Sequence, residues 1–254
     1  MTLIITAITQ SAIVQVSDRR LTWPNGKIYN DNTNKATIIS CQDGYFSVAY
    51  TGLALIGKKP TGEWLLDFCY EIGAGGLDPS TILTHLEQHA ADALRSLAIE
   101  QRYKGLTFVL AGIAHEQRFI MTTSNHADAE GMALPQVSDS FLSIGGRLEQ
   151  SYISVHGSIK AIESTCIRRM TKRREELVRL PGPQIAKQLV SYVRMARRDA
   201  KHGKYIGGDC MSVVISPNHS LTVQYHPVHA SPYDYMPNFV THEFILMGSK
   251  MTRG

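Results

Sequence analysis

The chain has no run approaching the roughly twenty apolar residues that a membrane-spanning helix needs, and no basic segment followed by a long apolar stretch at its start. A spanning protein and a classically secreted one are therefore not expected. Cysteine is scarce: Cys41, Cys69, Cys166 and Cys210 are widely separated, with no CxxC pair among 254 residues. That spacing argues against a zinc site and a disulfide framework, and fits reduced thiols in a cytoplasmic protein. Charge excess is also lacking. A net charge of +4 permits an acidic partner but falls far short of a dedicated nucleic-acid binder, so nucleic acid is not an expected partner. Internal repeats, low-complexity segments and any linker that would separate two cores are absent, which leaves a single domain as the economical organisation.

What is present is a hydrophobic content of 43%, enough for a sizeable core. Residues 2–9 (TLIITAIT) and 12–16 (AIVQV) are β-branched and meet at Thr9-Gln10-Ser11, which predicts a hairpin starting at residue 2. A polar connection over 18–33 contains Pro24-Asn25-Gly26, and a second hairpin over 35–41 and 45–50 turns at Asp43-Gly44. Apolar residues at helical spacing then predict helices over 61–72 and from Asp78-Pro79 to about Leu97. Strands follow at 106–114, 118–123 and 140–144, with a surface loop over 124–139. Residues 149–180 read as largely helical, 183–202 as an amphipathic helix, and 211–216 with 221–225 as a last strand pair. Strand blocks joined by short loops, each followed by a helix pair, predict an α+β fold: antiparallel sheets in a four-layer α-β-β-α sandwich. The expected division is one domain over 1–225 and a proline-containing tail over 226–254 that packs on it or extends from it.

The chemistry points to the N-terminus. A threonine hydroxyl is a weak nucleophile, but an N-terminal threonine carries its own α-amine, whose pKa near 8 makes it a ready general base. Thr2 becomes such a residue if Met1 is removed, with no propeptide to cut. A nearby lysine keeps the amine unprotonated, and a carboxylate holds the lysine; Lys35 and Asp18 are the candidates.

In these residues the chain resembles the proteasome-type N-terminal nucleophile (Ntn) hydrolases, the family of proteasome β subunits and their small bacterial relatives such as Anbu; the helical stretch between 149 and 202, longer than in a standard β subunit, suits the Anbu-like branch better. Counting from Thr2, the family's catalytic aspartate falls on Asp18, the arginine of its Asp-x-Arg on Arg20 and its substrate-aligning threonine on Thr22, without a gap. Lys35 comes one residue later than the family's lysine, which one insertion near Pro24-Asn25-Gly26 explains. Thr51-Gly52 is similar to the family's Ala-Gly turn, so the resemblance implies that the Gly52 amide forms the oxyanion hole. Gly208-Asp209-Cys210-Met211-Ser212 is similar to its Gly-Asp-x-x-Ser segment, implying that Asp209 and Ser212 position the amine. Tyr50 falls where a side chain floors the first specificity pocket. Where the family has Gly-Ser-Gly-Ser this chain has Ile144-Gly145-Gly146-Arg147, so Gly146 replaces a serine that contacts the N-terminus.

The resemblance implies a threonine-type amide hydrolase, a peptidase needing no cofactor and no metal, acting on a peptide or small amide and self-assembled into a homo-oligomeric ring or helical array. Two alternatives remain open: an inactive structural subunit of the same fold, and a small-amide acylase. Other groupings are weaker. His85 and His89 lie four apart on a helix but lack the glutamate placement of HExxH. His226, His229 and His242 with Glu243 sit in the tail. Arg168, Arg169, Lys172, Arg173, Arg174 and Arg179, with Arg194, Arg197, Arg198 and Lys201, form a basic cluster without an aromatic platform, read as a solvated or subunit-contact face, the alternative being a site for anions or acidic partners.

Overall fold

A computed structural model of the chain describes residues 2–23, 25–41, 44–127, 133–157, 169–170, 172–200, 202–218, 220–228, 236–241 and, for the backbone only, 245–246. The first strands are β1 (Leu3–Ile8), β2 (Ile13–Asp18), β3 (Leu21–Thr22), β4 (Ile28–Asn30), β5 (Ala36–Cys41), β6 (Gly44–Gly52), β7 (Leu55–Ile56) and β8 (Lys59–Pro60). Helices α1 (Thr61–Glu71) and α2 (Pro79–Arg95) precede β9 (Leu106–Ala114), β10 (Gln117–Ser124), β11 (Leu142–Arg147) and β12 (Tyr152–Gly157). A short α3 (Arg174–Leu177) and a longer α4 (Gly182–Ala196) lead to β13 (Cys210–Ile215), β14 (Leu221–His226), β15 (Asn238–Val240) and β16 (Ile245–Leu246).

Two sheets carry the fold. One runs β12-β1-β2-β13-β14 and is antiparallel throughout; the other runs β11-β10-β9-β6-β5-β15-β16, with β15 alone parallel to its neighbour β5. Strand alternation sorts their side chains among three apolar clusters. Leu3, Ile5, Ala7, Val14, Val16 and Val214 of the first sheet pack with Ile185, Leu189 and Val193 of α4. Val48, Phe108 and Leu110 of the second sheet pack with Leu65, Phe68, Leu83 and Leu86 of α1 and α2. Ile4, Ile8, Ile13, Met211 and Val213 of the first sheet share the third cluster with Ile38, Ala49, Val109 and Ala111 of the second. Burial on both faces is why β1 and β9 read as nearly continuous apolar runs.

The four hairpins and both first helices form where periodicity placed them. Helix α2 begins as its sequence says: the Asp78 carboxylate accepts from the N–H groups of Ser80 (3.0 Å) and Thr81 (3.1 Å), with Pro79 in the first turn. Two readings need correction, and the tail proves to carry strands. The connection over 18–33 contains a small hairpin, β3 with β4. Residues 149–180 are not continuously helical, because 152–157 form β12, which closes the outer edge of β1 in register Leu3 with Gly157 and Ile8 with Tyr152. Tyr152, Ile153 and Val155 suit a strand, and Gly157, at φ +100°, ends it. After residue 225 the chain forms two further strands; β15 lies beside β5 with Phe239 opposite Ile38 and sends the fully buried Val240 into the α1–α2 cluster. A three-residue strand following prolines offers too short a pattern to recognise. Among the described residues no helix is long and apolar enough to cross a membrane.

Val240→Asp puts an unpaired carboxylate into that cluster. It is expected to lower unfolding stability by more than about 2 kcal/mol in urea titrations; a smaller loss would mean that β15 is dispensable to the second sheet.

Candidate active site

The centre of the site is a buried carboxylate at the end of β2. Asp18 is fully buried and gathers four donors: Oδ1 accepts from Lys35 Nζ (2.9 Å), from the Arg20 N–H (2.9 Å) and from the Gly207 N–H (3.1 Å), while Oδ2 accepts from the Leu3 N–H (2.7 Å). Glycine at 207 permits this closeness, since a Cβ there would sit 3.0 Å from Arg20 and 3.3 Å from Oδ1. Lys35 precedes β5, in the other sheet, and is also fully buried; its ammonium donates to the Arg20 carbonyl as well as to Asp18. Burial lowers the Lys35 pKa, and the Asp18 charge opposes that shift.

Thr2 lies at the head of β1 and is 2% exposed. Its N–H donates to Thr51 Oγ1 (3.3 Å), and the same hydroxyl donates to the Thr2 carbonyl (3.1 Å). With the Leu3 N–H on Asp18, the first two peptide units of the chain are held from both sheets. Gly52 follows Thr51 at φ +115°, and a Cβ there would fall 2.2 Å from the Gly105 carbonyl oxygen, so only glycine fits. Thr22 is buried in β3, four residues beyond Asp18. The structure thus brings Thr2, Asp18, Lys35 and the 51–52 corner together.

Other anticipated residues lie elsewhere. Arg20 contributes its backbone, while its guanidinium pairs with Asp31 (2.6 and 3.1 Å) and reaches the Lys204 carbonyl. The Asp209 carboxylate accepts from the Val228 N–H (2.7 Å). Ser212 shares the strand face of Cys210 and Val214, which pack toward α4, and its hydroxyl meets His226 Nε2 at 2.8 Å. Alternation therefore turns Ser212 away from the space between the sheets, which Met211 and Val213 face. Tyr50 points opposite to Thr51, into the α1–α2 cluster beside Gly62. Gly146 is on β11, three strands from β6 in the second sheet, so about 14 Å of sheet separates the two strands. The glycine against Thr2 is Gly157, where a Cβ would meet the Thr2 carbonyl oxygen at 1.8 Å.

Sequence reasoning passed over several residues. Arg19, not Arg20, is the buried arginine, with its guanidinium 4.8 Å from the Tyr225 ring and 2.6 Å from the Asn32 carbonyl oxygen. Asn34, the residue before Lys35, is anchored by donating to the Met236 carbonyl (2.8 Å). His156, opposite Ile4 on β12, has a buried Nε2 without a hydrogen-bond partner among the described residues, and burial pushes its pKa down to about 4. His89 rests against Trp64 and Phe68, ring centroids 5.9 and 5.3 Å away, and among the described residues no group of three His, Cys, Asp or Glu is placed to hold a metal. His229, His242, Glu243, Arg168 and Lys201 lie outside the described residues.

One antiparallel and one mixed sheet, with a buried lysine–aspartate pair behind residue 2, match the arrangement that the resemblance read in the sequence implies. The chain shares the fold of Anbu. It matches Anbu (ancestral beta-subunit) from Yersinia bercovieri with a TM-score of 0.56 at 11% identity, over 88% of this chain and 87% of that one. It matches Anbu from Hyphomicrobium sp. strain MC1 with a TM-score of 0.52 at 12% identity, over 88% and 86%. At these identities the likeness is one of fold. No family model and no curated protein sequence matches the chain.

Removing one member of a buried ion pair strands the other charge and typically costs about 3–5 kcal/mol. Lys35→Met is expected to destabilise on that scale, and Asp18→Asn with Lys35→Met by clearly less than the sum of the single changes; urea unfolding of the four proteins tests the coupling. His156 gives a pH signature. Its folded pKa lies below the unfolded value of 6.5, so its contribution is complete above pH 6.5 and is lost as pH falls toward 4. Wild type minus His156→Gln is expected to show a stability slope of up to about 1.4 kcal/mol per pH unit in that window.

Proposed function

We propose that this protein is a threonine-type amide hydrolase of the proteasome-like Ntn class, a peptidase whose nucleophile is Thr2 after removal of Met1. The observation that carries this reading is the Asp18 carboxylate, which holds a buried lysine on one oxygen and the peptide N–H just after Thr2 on the other. The Anbu-like fold supports it, read as a four-layer α-β-β-α sandwich with the site at one end of the inter-sheet space.

The residues divide the chemistry as follows. The Thr2 hydroxyl attacks the scissile carbonyl carbon, and its proton passes to the α-amine directly or through a water. The Gly52 N–H stabilises the oxyanion, a donor whose loss typically costs about 10²–10³ in rate. Collapse breaks the C–N bond, the leaving amine takes the proton, and water then hydrolyses the acyl-threonine ester. Lys35, held by Asp18, keeps the amine in its free-base form by charge repulsion. Thr22 aligns an extended substrate. No cofactor enters the scheme, and the protein acts as a homo-oligomer.

The inactive structural subunit is favoured by one specific feature: the Asp209 and Ser212 side chains are engaged with Val228 and His226 instead of Thr2. Mass spectrometry and labelling separate the readings. The hydrolase is expected to begin at Thr2, to react there with a peptide epoxyketone, and to lose at least about 10³-fold of its peptide-amide turnover in Thr2→Ala with the melting temperature unchanged. A retained Met1, or turnover undiminished in Thr2→Ala, counts against it.

A further inference from the structure

We propose that Thr51 is a positioning residue for the N-terminal amine, an inference that rests on the reading of Thr2 as nucleophile. Its hydroxyl hydrogen-bonds both to the nitrogen and to the carbonyl oxygen of Thr2, accepting from the first at 3.3 Å and donating to the second at 3.1 Å. A hydroxyl has one proton and two lone pairs, so both contacts are made at once. The group is rigidly mounted. Thr51 is 2% exposed, lies inside the β6–β9 ladder opposite Thr107, and is β-branched, which restricts its χ1. From the other side β12 closes on the pair, because Gly157 has no Cβ; one there would stand 2.7 Å from Thr51 Oγ1 and 1.8 Å from the Thr2 oxygen.

The consequence is chemical. Once Met1 is gone the Thr2 nitrogen is a primary amine, free to turn about its bond to Cα. Donating one N–H to Thr51 Oγ1 selects a single rotamer and fixes where the lone pair points, which a general base must aim at the nucleophile's proton. Thr51 also immediately precedes Gly52, so one dipeptide at the end of β6 sets both the base and the oxyanion donor. The resembling family carries alanine at this position of its turn; the hydroxyl is a feature of this chain.

The test uses full-length protein matured to Thr2, verified by mass spectrometry, a peptide aminomethylcoumarin amide that the wild type cleaves, and a peptide epoxyketone. Thr51→Val keeps the shape and removes the hydroxyl; Thr51→Ser keeps the hydroxyl; Thr51→Ala guards against a valine variant that misfolds. The valine and alanine variants are expected to lose about 10- to 100-fold in kcat, the scale on which a misplaced group costs rate, with KM within about twofold. Their epoxyketone labelling should slow in parallel, and Thr51→Ser should stay within about threefold of wild type. Wild-type turnover retained in both Thr51→Val and Thr51→Ala overturns the positioning role while leaving Thr2 as the nucleophile. A rise in KM alone, or a serine variant as slow as valine, also overturns it. A wild type with neither turnover nor labelling at Thr2 overturns the underlying reading too.

Discussion

The ion pair between Asp18 and Lys35 is the constraint on which this molecule turns. Two opposite charges, both fully buried, join the end of β2 in one sheet to the residue before β5 in the other. Desolvating them is costly, and further hydrogen bonds to each partner offset that cost. Asp18 finds them in the backbone of Leu3, Arg20 and Gly207, and Lys35 in the Arg20 carbonyl. Those partners come from the N-terminal strand, from the chain that leaves β2 and from the approach to β13. The pair therefore fixes the relation of three segments as well as the spacing of the two sheets.

Around this tie the inter-sheet space changes character along its length. Ile4, Ile8, Val109 and Val213 make it apolar, while Gln15 crosses it by accepting from Ser47 (2.6 Å) and donating to the Val109 carbonyl (3.1 Å). At the Thr2 end the polar groups are backbone amides, Thr51 and the buried charges. A hydrogen-bonded polar layer of this sort favours one alignment of the sheets over sliding alternatives, because a shift leaves its buried donors and acceptors unpaired. The C-terminal segment adds support from outside: β15 lies along β5, and Asn34, next to Lys35, is held by the Met236 carbonyl.

Hairpins and the first helices were legible because each encodes its own period and punctuation, as in β1 with β2 or the Asp78-Pro79 start of α2. So was the meeting of Thr2, Asp18 and Lys35 in the candidate site, since short, nearly fixed stretches of chain separate them. The misreadings share a different cause. β12 lies in a stretch whose basic continuation favoured a helix, and it becomes a strand because β1 has an open edge to be paired. β15 is too short to show a period. Asp209 and Ser212 have suitable identities, but strand parity and the chain after β14 direct their groups to Val228 and His226. Gly146 was matched by its glycine-rich neighbourhood, whereas Gly157 takes the place against Thr2 through the register of β12.

The sequence by itself determined the local vocabulary of this protein: a β-branched N-terminal hairpin, amphipathic helices, and an acid and a lysine at spacings that a known hydrolase class uses. Tertiary structure alone decided which side chains meet. Contacts such as Thr51 with Thr2, or Gly157 with the Thr2 carbonyl, join residues 49 or more positions apart and depend on strand register and on which face a residue presents. A one-residue change in either reverses the outcome, and no local pattern records it.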